Sequence, residues 1–338
     1  MKILFRILLA VLGVTSGLIG TEMLLRLLGE SPGTIPTAFD PANFAHREPF
    51  TTNIVTGWQL KPGSYRLVLG NRGRATEIAI NLDGSRKTRE FDGLTSGGKP
   101  NVIFLGDSFV FGHGLDDEET LPWHLQEFLP HWNVINHAVS GYGTCQAFLR
   151  LQQLEVTLNR GDFVIYGLSG FHEERNTADP RQDYWAAISS PSHQSGYPQC
   201  QLVNNAIVSE NSKVWEVVMP LTGRSVLSRI LTDVWLSFLA RSSTTKQRPL
   251  TEFLLKGMNK TSTDRGAFLI VLLQELSGDA QSHYRAVLDS ARISYVDGTD
   301  VNAKRNLKLP DGHPGPEVTK VWAKQLRDHL VKQDSVRD

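Results

Sequence analysis

The chain has no excess of charge of either sign. Lys plus Arg and Asp plus Glu both number 35 in 338 residues, so the formal net charge at pH 7 is zero. Phosphate backbones are bound through a basic excess or a basic face. No stretch here supplies one, which excludes nucleic acid as the main partner. Cysteine is almost absent, with only Cys145 and Cys200. The ten histidines and two cysteines show no His-x-x-x-His or Cys-x-x-Cys spacing, so no zinc-type ligand motif is present and no metal is expected. Internal repeats and low-complexity tracts are lacking as well.

The long apolar run stands at the N-terminus. Lys2 and Arg6 precede the uncharged residues 7–21, and Leu24, Leu25, Leu27 and Leu28 extend the run past Glu22 and Arg26. A full span takes about 20 apolar residues. A spanning helix over 7–28 must therefore hold Glu22 and Arg26 near its outer boundary, where a spacing of four lets them pair. Lys2 and Arg6 would keep the N-terminus in the cytoplasm. A basic start and a short apolar region also fit a cleaved signal peptide. No good small-x-small cleavage site is seen, which favours an uncleaved membrane anchor over residues 1–29. On either reading the rest is exported to the periplasmic or extracellular face of the cell envelope. In that compartment a Cys145–Cys200 disulfide is permitted, though two thiols far apart in sequence do not establish one.

Residues 30–100 read as a Pro-, Thr- and Ala-rich linker over 30–50, followed by a β-rich extension. Within 57–80 the alternating runs "SYRLVL" and "ATEIAI" predict a β-hairpin, and "NLDGSR" is a turn. From Asn101 short apolar runs alternate with helical patterns. "VIFL", "WNVINHAV", "DFVIYGL", "AFLIVLL" and "ISYVDG" are the strands, which predicts an α/β fold with about five parallel strands and helices on both faces. Residues 170–265 break the alternation and hold an apolar helix candidate over 224–240. They are read as a large insertion after the third strand, placed over the carboxyl ends of the strands, where α/β sheets bind ligands. Trp185, Trp215 and Trp235 in that segment read as core residues, or as a surface for sugar rings or acyl chains if they line a cleft.

The first strand ends in "GDS". Ser108 at a strand-to-helix junction suits a helix N-cap. It equally suits a nucleophile, with the helix start and its backbone donors ready for developing negative charge. Such a serine needs a base. "LPDGHPG" places Asp311 and His313 in the turn after the fifth strand, on the rim where Ser108 should stand. "INHAVSGYGT" follows the second strand, and its glycines let backbone approach a ligand, with the Gly141 amide as a candidate oxyanion donor.

"FLGDSFVFGHGL", "INHAVSGYG" and "LPDGHPGPE", in that order, resemble the first, second and last motif blocks of the SGNH (GDSL-type) hydrolases. "INLDGSR" resembles the Asn-x-x-Gly-x-Arg lead-in of membrane-anchored bacterial members. The resemblance covers about residues 80–330 outside the insertion. It implies a three-layer α/β/α, flavodoxin-like fold in a domain over 101–332, and a Ser–His–Asp ester hydrolase that needs no metal or other cofactor. Ser108 then corresponds to the nucleophile, His313 to the base and Asp311 to its orienting acid, with the amides of Ser108 and Gly141 as oxyanion donors.

Two departures stand out. The family acid lies three residues before the histidine, where Pro310 stands here, and Asp311 is two before. Either Asp311 or a backbone carbonyl would orient the imidazole. The third block, Gly-x-Asn-Asp, is replaced by "YGLSGFHEERN". Phe171 or His172 falls where the oxyanion asparagine belongs, and only His172 can donate. His172 is the expected third donor, with Asn176 as second choice; a plain helix start is the competing reading of "HEERN". The expected activity is hydrolysis of small acyl esters, with O-acetyl groups on an envelope or extracellular glycan as one substrate. Acyl transfer to a glycan through the same site and a non-catalytic envelope scaffold stay open. The sequence does not speak to the oligomeric state.

Overall fold

The structure, a computed structural model, describes residues 2–32, 49–68, 74–90, 100–154, 157–177, 197–204, 206–212, 224–240 and 247–335. Most of the expected linker, Trp185 and Trp215 lie outside these residues. Helix α1 (Lys2–Leu27) is apolar around its whole circumference. Its stretch Phe5–Leu27 is long and apolar enough to cross a membrane.

Two antiparallel hairpins follow, β1 (Phe50–Asn53) with β2 (Gly57–Leu60), and β3 (Gly63–Val68) with β4 (Ala75–Ile80). The second is the hairpin expected from the alternating runs. The first was not foreseen.

The α/β unit starts with β5 (Asn101–Leu105), the short helix α2 (Ser108–Phe111), α3 (Leu121–Phe128), β6 (Asn133–Asn136), α4 (Thr144–Leu154), β7 (Phe163–Ser169) and α5 (His172–Asn176). A hairpin of β8 (Tyr197–Val203) and β9 (Ala206–Ser212) comes next, then α6 (Val226–Ala240) and α7 (Gln247–Asp264). The chain closes with β10 (Phe268–Glu275), α8 (Gly278–Ser290), β11 (Ser294–Asp297), α9 (Thr299–Asn302) and α10 (Pro316–Ser335).

Five strands form one parallel sheet in the order β11-β10-β7-β5-β6. Counting these strands along the chain, this is the doubly wound order 2-1-3-4-5. It reverses direction between its first and third strands, and ligands bind in the crevice outside the carboxyl ends at such a switch point. Here the switch lies between β5 and β7, and Ser108 begins just beyond the end of β5.

Side-chain alternation along each strand builds two cores, one per face. Val102 and Phe104 of β5, Phe163 and Ile165 of β7, and Ile270 and Leu272 of β10 face one layer. Ile103, Leu105, Val164, Tyr166, Val271 and Leu273 face the other. Helices α3 and α10 cover the first face. Val318, Trp322, Leu326 and Leu330, spaced by four along α10, are all buried there. Pro316 starts that helix at a position where no backbone donor is missed.

Helices α4, α7 and α8 cover the second face. The sequence reading left α7 inside the insertion. It is instead the crossover helix between β7 and β10, burying Leu250, Leu254, Leu255 and Met258 against the sheet and α4. The β8–β9 hairpin is joined to the first turn of α4 by a Cys145–Cys200 disulfide, on the side of the sheet where the strands end.

Candidate active site

Gly106 breaks β5 with φ +153, and a Cβ there would come within 2.7 Å of Val110, so the tight exit from the strand requires glycine. Asp107, not Ser108, is the N-cap of α2, its carboxylate accepting the Phe109 amide at 2.9 Å. The capping reading of Ser108 is therefore replaced: the acid beside it takes that task and leaves the hydroxyl available.

The Ser108 hydroxyl lies 3.0 Å from Nε2 of His313, 205 residues along the chain. Nδ1 of His313 is 2.9 Å from Oδ2 of Asp311. The other carboxylate oxygen of Asp311 accepts the backbone amide of His313 at 3.1 Å. The short spacing therefore suffices. Gly312, with φ +92, turns the chain so that one carboxylate straddles the amide and the ring of the same residue. The bonding fits an imidazole that donates from Nδ1 to the carboxylate and accepts from Ser108 at Nε2, the tautomer a general base needs. Burial would raise the Asp311 carboxyl, but the hydrogen bonds and charge of His313 outweigh it and hold the group down at about 2.

Aromatic rings pack the imidazole from two sides. The Phe109 ring meets it edge-on at 5.5 Å between centroids and the His113 ring lies tilted at 4.6 Å. His113 is buried, and burial with the adjacent His313 pushes it down to about 3, so it is uncharged at neutral pH. His113, Asp311 and His313 offer ligand atoms within 4.8 Å of one another, a donor set that the chain spacing did not suggest. A cation held there would compete with Ser108 and Asp311 for the ring nitrogens of His313.

The loop after β6 reaches the same rim. The Val139 amide donates to the Gly106 carbonyl at 3.1 Å. Gly141 has φ +88, and a Cβ there would meet the Trp58 ring at 2.9 Å. The indole of Trp58 in turn donates to the Ser140 carbonyl at 3.1 Å. The unforeseen β1–β2 hairpin thus forms the floor under the glycine loop.

His172 does not stand where it was expected to act. It is fully buried. Its Nε2 is 3.0 Å from Oδ2 of Asp107, and its Nδ1 is 2.8 Å from the Tyr166 hydroxyl. Both ring nitrogens are engaged, so the imidazole has no N–H left for an oxyanion. Burial lowers the His172 pKa against the pull of Asp107. The Asp107 carboxyl is also lowered: burial would raise it, and His172 and Arg175 overcome that. A neutral imidazole donating to a carboxylate satisfies both.

Asn176 is engaged as well, accepting the Cys145 amide and donating to Thr251, each at 2.8 Å. It fastens α4 to α7.

A residue the sequence reading passed over, Arg175, joins the three rim loops. Its Nη1 donates to the Tyr142 carbonyl at 2.9 Å and lies 3.9 Å from Asp107. Its guanidinium sits over the Phe171 ring at 4.4 Å, and Phe171 packs edge-on against Phe109.

No protein-family model matches the chain, and no curated protein does. Among solved structures, a crystal structure of TesA is similar at 17% identity, over 68% of this chain and 98% of that one, with a TM-score of 0.42. AlinE4, described as an SGNH-hydrolase family esterase, is similar at 15% identity over 70% and 97%, with a TM-score of 0.38. A lipolytic protein of the G-D-S-L family from Desulfitobacterium hafniense is similar at 14% identity over 68% and 99%, with a TM-score of 0.39. What this site does is read from its own residues.

Proposed function

We propose that the chain is a serine esterase of the SGNH type acting on small acyl esters, anchored by α1 with its catalytic domain outside the cytoplasm. One observation carries this reading. A serine hydroxyl, an imidazole and a carboxylate stand in hydrogen-bonded sequence, 3.0 and 2.9 Å apart, at the switch point of the sheet. His313 takes the Ser108 proton as Oγ attacks the ester carbonyl, and Asp311 holds the imidazolium that forms. The backbone amides of Ser108 and Gly141 bind the oxyanion. His313 then protonates the departing alcohol, and water activated by the same imidazole releases the acid. Export points to O-acetyl groups on an envelope glycan as the substrate class.

A fluorophosphonate probe tests the assignment, because it phosphonylates an activated serine. The full-length protein in membranes should be labelled, with labelling lost in Ser108→Ala. An unlabelled wild type would leave the fold without its esterase. Product analysis with a glycan acceptor separates water from a sugar hydroxyl as the acyl acceptor.

With His172 and Asn176 engaged elsewhere, the loop bearing Gly141 takes on more of the oxyanion task, and Arg175 holds that loop through the Tyr142 carbonyl. Arg175→Ala should lower kcat by about 10- to 100-fold, less than the loss of an oxyanion donor itself, with KM nearly unchanged. An equal fall in fluorophosphonate labelling rate would place the effect at acylation. A change confined to KM would remove Arg175 from this role.

A further inference from the structure

The charged residues at the outer end of α1 are fastened to α6. Glu22 accepts the Ser225 hydroxyl at 2.8 Å and the amides of Val226 and Leu227 at 3.1 and 3.0 Å. These are amides of the first turn of α6, which has no acceptors of its own to offer them. Arg26 binds Glu22 at 2.7 Å and donates to the Arg224 carbonyl at 2.8 Å. Arg229, on α6, reaches back to Glu30 at 2.6 Å. Cleavage of α1 as a signal sequence would remove Glu22 and leave the Val226 and Leu227 amides without that acceptor, with Ser225 still capping the turn through the Ser228 amide at 3.1 Å.

Helix α6 carries a buried face and an exposed one. Val226, Thr232 and Leu236 are buried on one. Leu231, Val234, Trp235 and Phe238 are 47, 63, 38 and 64% exposed, and helical periodicity sets them in a single stripe on the opposite side. The Trp235 and Phe238 rings are stacked. Four large apolar side chains, two of them aromatic, open to solvent beside an apolar helix fit an element lying in the interface of a bilayer. Tryptophan is enriched at that depth. Arg229 and Asp233, paired at 3.4 Å, lie away from the stripe.

We propose that α1 is retained as an anchor and that α6 lies in the bilayer surface at its outer end, with Leu231, Val234, Trp235 and Phe238 among the lipid chains. This rests on the anchored reading of α1 given above. The occupant is lipid, because the start of α6 is fastened to the outer end of α1, whose stretch Phe5–Leu27 is long and apolar enough to cross a membrane. Since α6 lies in the segment between β7 and β10, the catalytic domain is held to the membrane at two places along its chain, which confines it to substrates near the surface.

The test uses full-length protein in vesicles of phosphatidylcholine and phosphatidylglycerol. The native cysteines are paired, so a single introduced thiol takes a polarity-sensitive dye. Val234→Cys reports on α6, Leu12→Cys on α1, and Leu82→Cys, at a position 95% exposed, on water. Iodide quenching at Val234→Cys should be at least about threefold weaker than at Leu82→Cys, as expected for burial at the acyl boundary. Adding Glu22→Ala should raise it towards the water value. Full quenching at Val234→Cys with Leu12→Cys shielded would overturn the placement of α6 and leave the anchor standing. Quenching of Leu12→Cys as well would overturn both. Shielding that grows with the protein-to-lipid ratio would assign the stripe to a second copy of the chain instead.

Discussion

Replacing His313 with alanine is expected to cut kcat/KM for a small acyl ester by about 10⁴-fold, nearly all of it in kcat. The reason is the single path for the Ser108 proton. Nε2 of His313 is 3.0 Å from that hydroxyl, and the other imidazole beside it, His113, is buried and pushed down to about 3 by burial and the adjacent His313, which makes it a poor base. Asp311→Ala should cost less, about 10²-fold. Its side chain is 30% exposed, so solvent shares in stabilising the imidazolium and the carboxylate mainly fixes the ring. Because Asp311 acts through His313, the double variant should be no slower than His313→Ala alone. Turnover by His313→Ala above a tenth of wild type would show that another group takes the proton, and the account of the site would fall with it.

The residues differ in how far they could be read from the chain. The strands were legible because each is a short, buried apolar run bounded by polar or glycine residues, and the order of strands and helices then put the ends of β5 and β11 on one rim. The loops of Ser108 and His313 meet there, with Nε2 of His313 3.0 Å from the Ser108 hydroxyl. The misplacements share a physical cause. His172 lies where an oxyanion donor would be counted along the chain, but what decides its role is Asp107, 65 residues earlier. No local pattern announces that pair. Asn176 is likewise decided by Cys145 and Thr251, both on other elements. Helix α7 had a visible signal in Leu250, Leu254 and Met258, spaced by four, which its polar composition and its place in an irregular segment obscured. The β1–β2 hairpin is too short to announce itself, and its use is long-range: Trp58 is recognisable as a floor only once Gly141 is seen above it. Capping showed the same limit. Either Asp107 or Ser108 could cap α2 by residue type, and the bond from the Phe109 amide to Asp107 separates them.

Arg86→Met should destabilise the protein by about 3–5 kcal/mol, the range for removing one partner of a buried ion pair. Arg86 closes the "INLDGSR" lead-in, and its burial is complete. Its guanidinium binds Asp117 at 2.9 Å and the carbonyls of Phe111, Gly112 and Leu115 at 2.8, 2.7 and 2.7 Å, while lying 4.8 Å over the Phe111 ring. Its backbone amide donates to Asn136 at the end of β6, so one residue ties the β3–β4 hairpin, the sheet edge and the segment after α2 together. Methionine fills much of the volume but leaves three carbonyls and a carboxylate without their donor. Burial already pushes the Asp117 carboxyl upward despite Arg86, so without the cation it should take up a proton more readily still. The loss should therefore be smaller at pH 5 than at pH 8. Arg86→Met with Asp117→Asn should recover part of it by removing the unpaired charge. Arg86→Lys should remain impaired, since an ammonium cannot span four acceptors with the planar fork of a guanidinium. Denaturant midpoints for the three variants at both pH values decide the matter. A midpoint for Arg86→Met within about 1 kcal/mol of wild type, the scale of an exposed ion pair, would mean that the lead-in arginine packs the loop without holding it. Because that loop fixes the C-terminal end of α2, esterase turnover should fall along with stability, and it should return with the same second substitution.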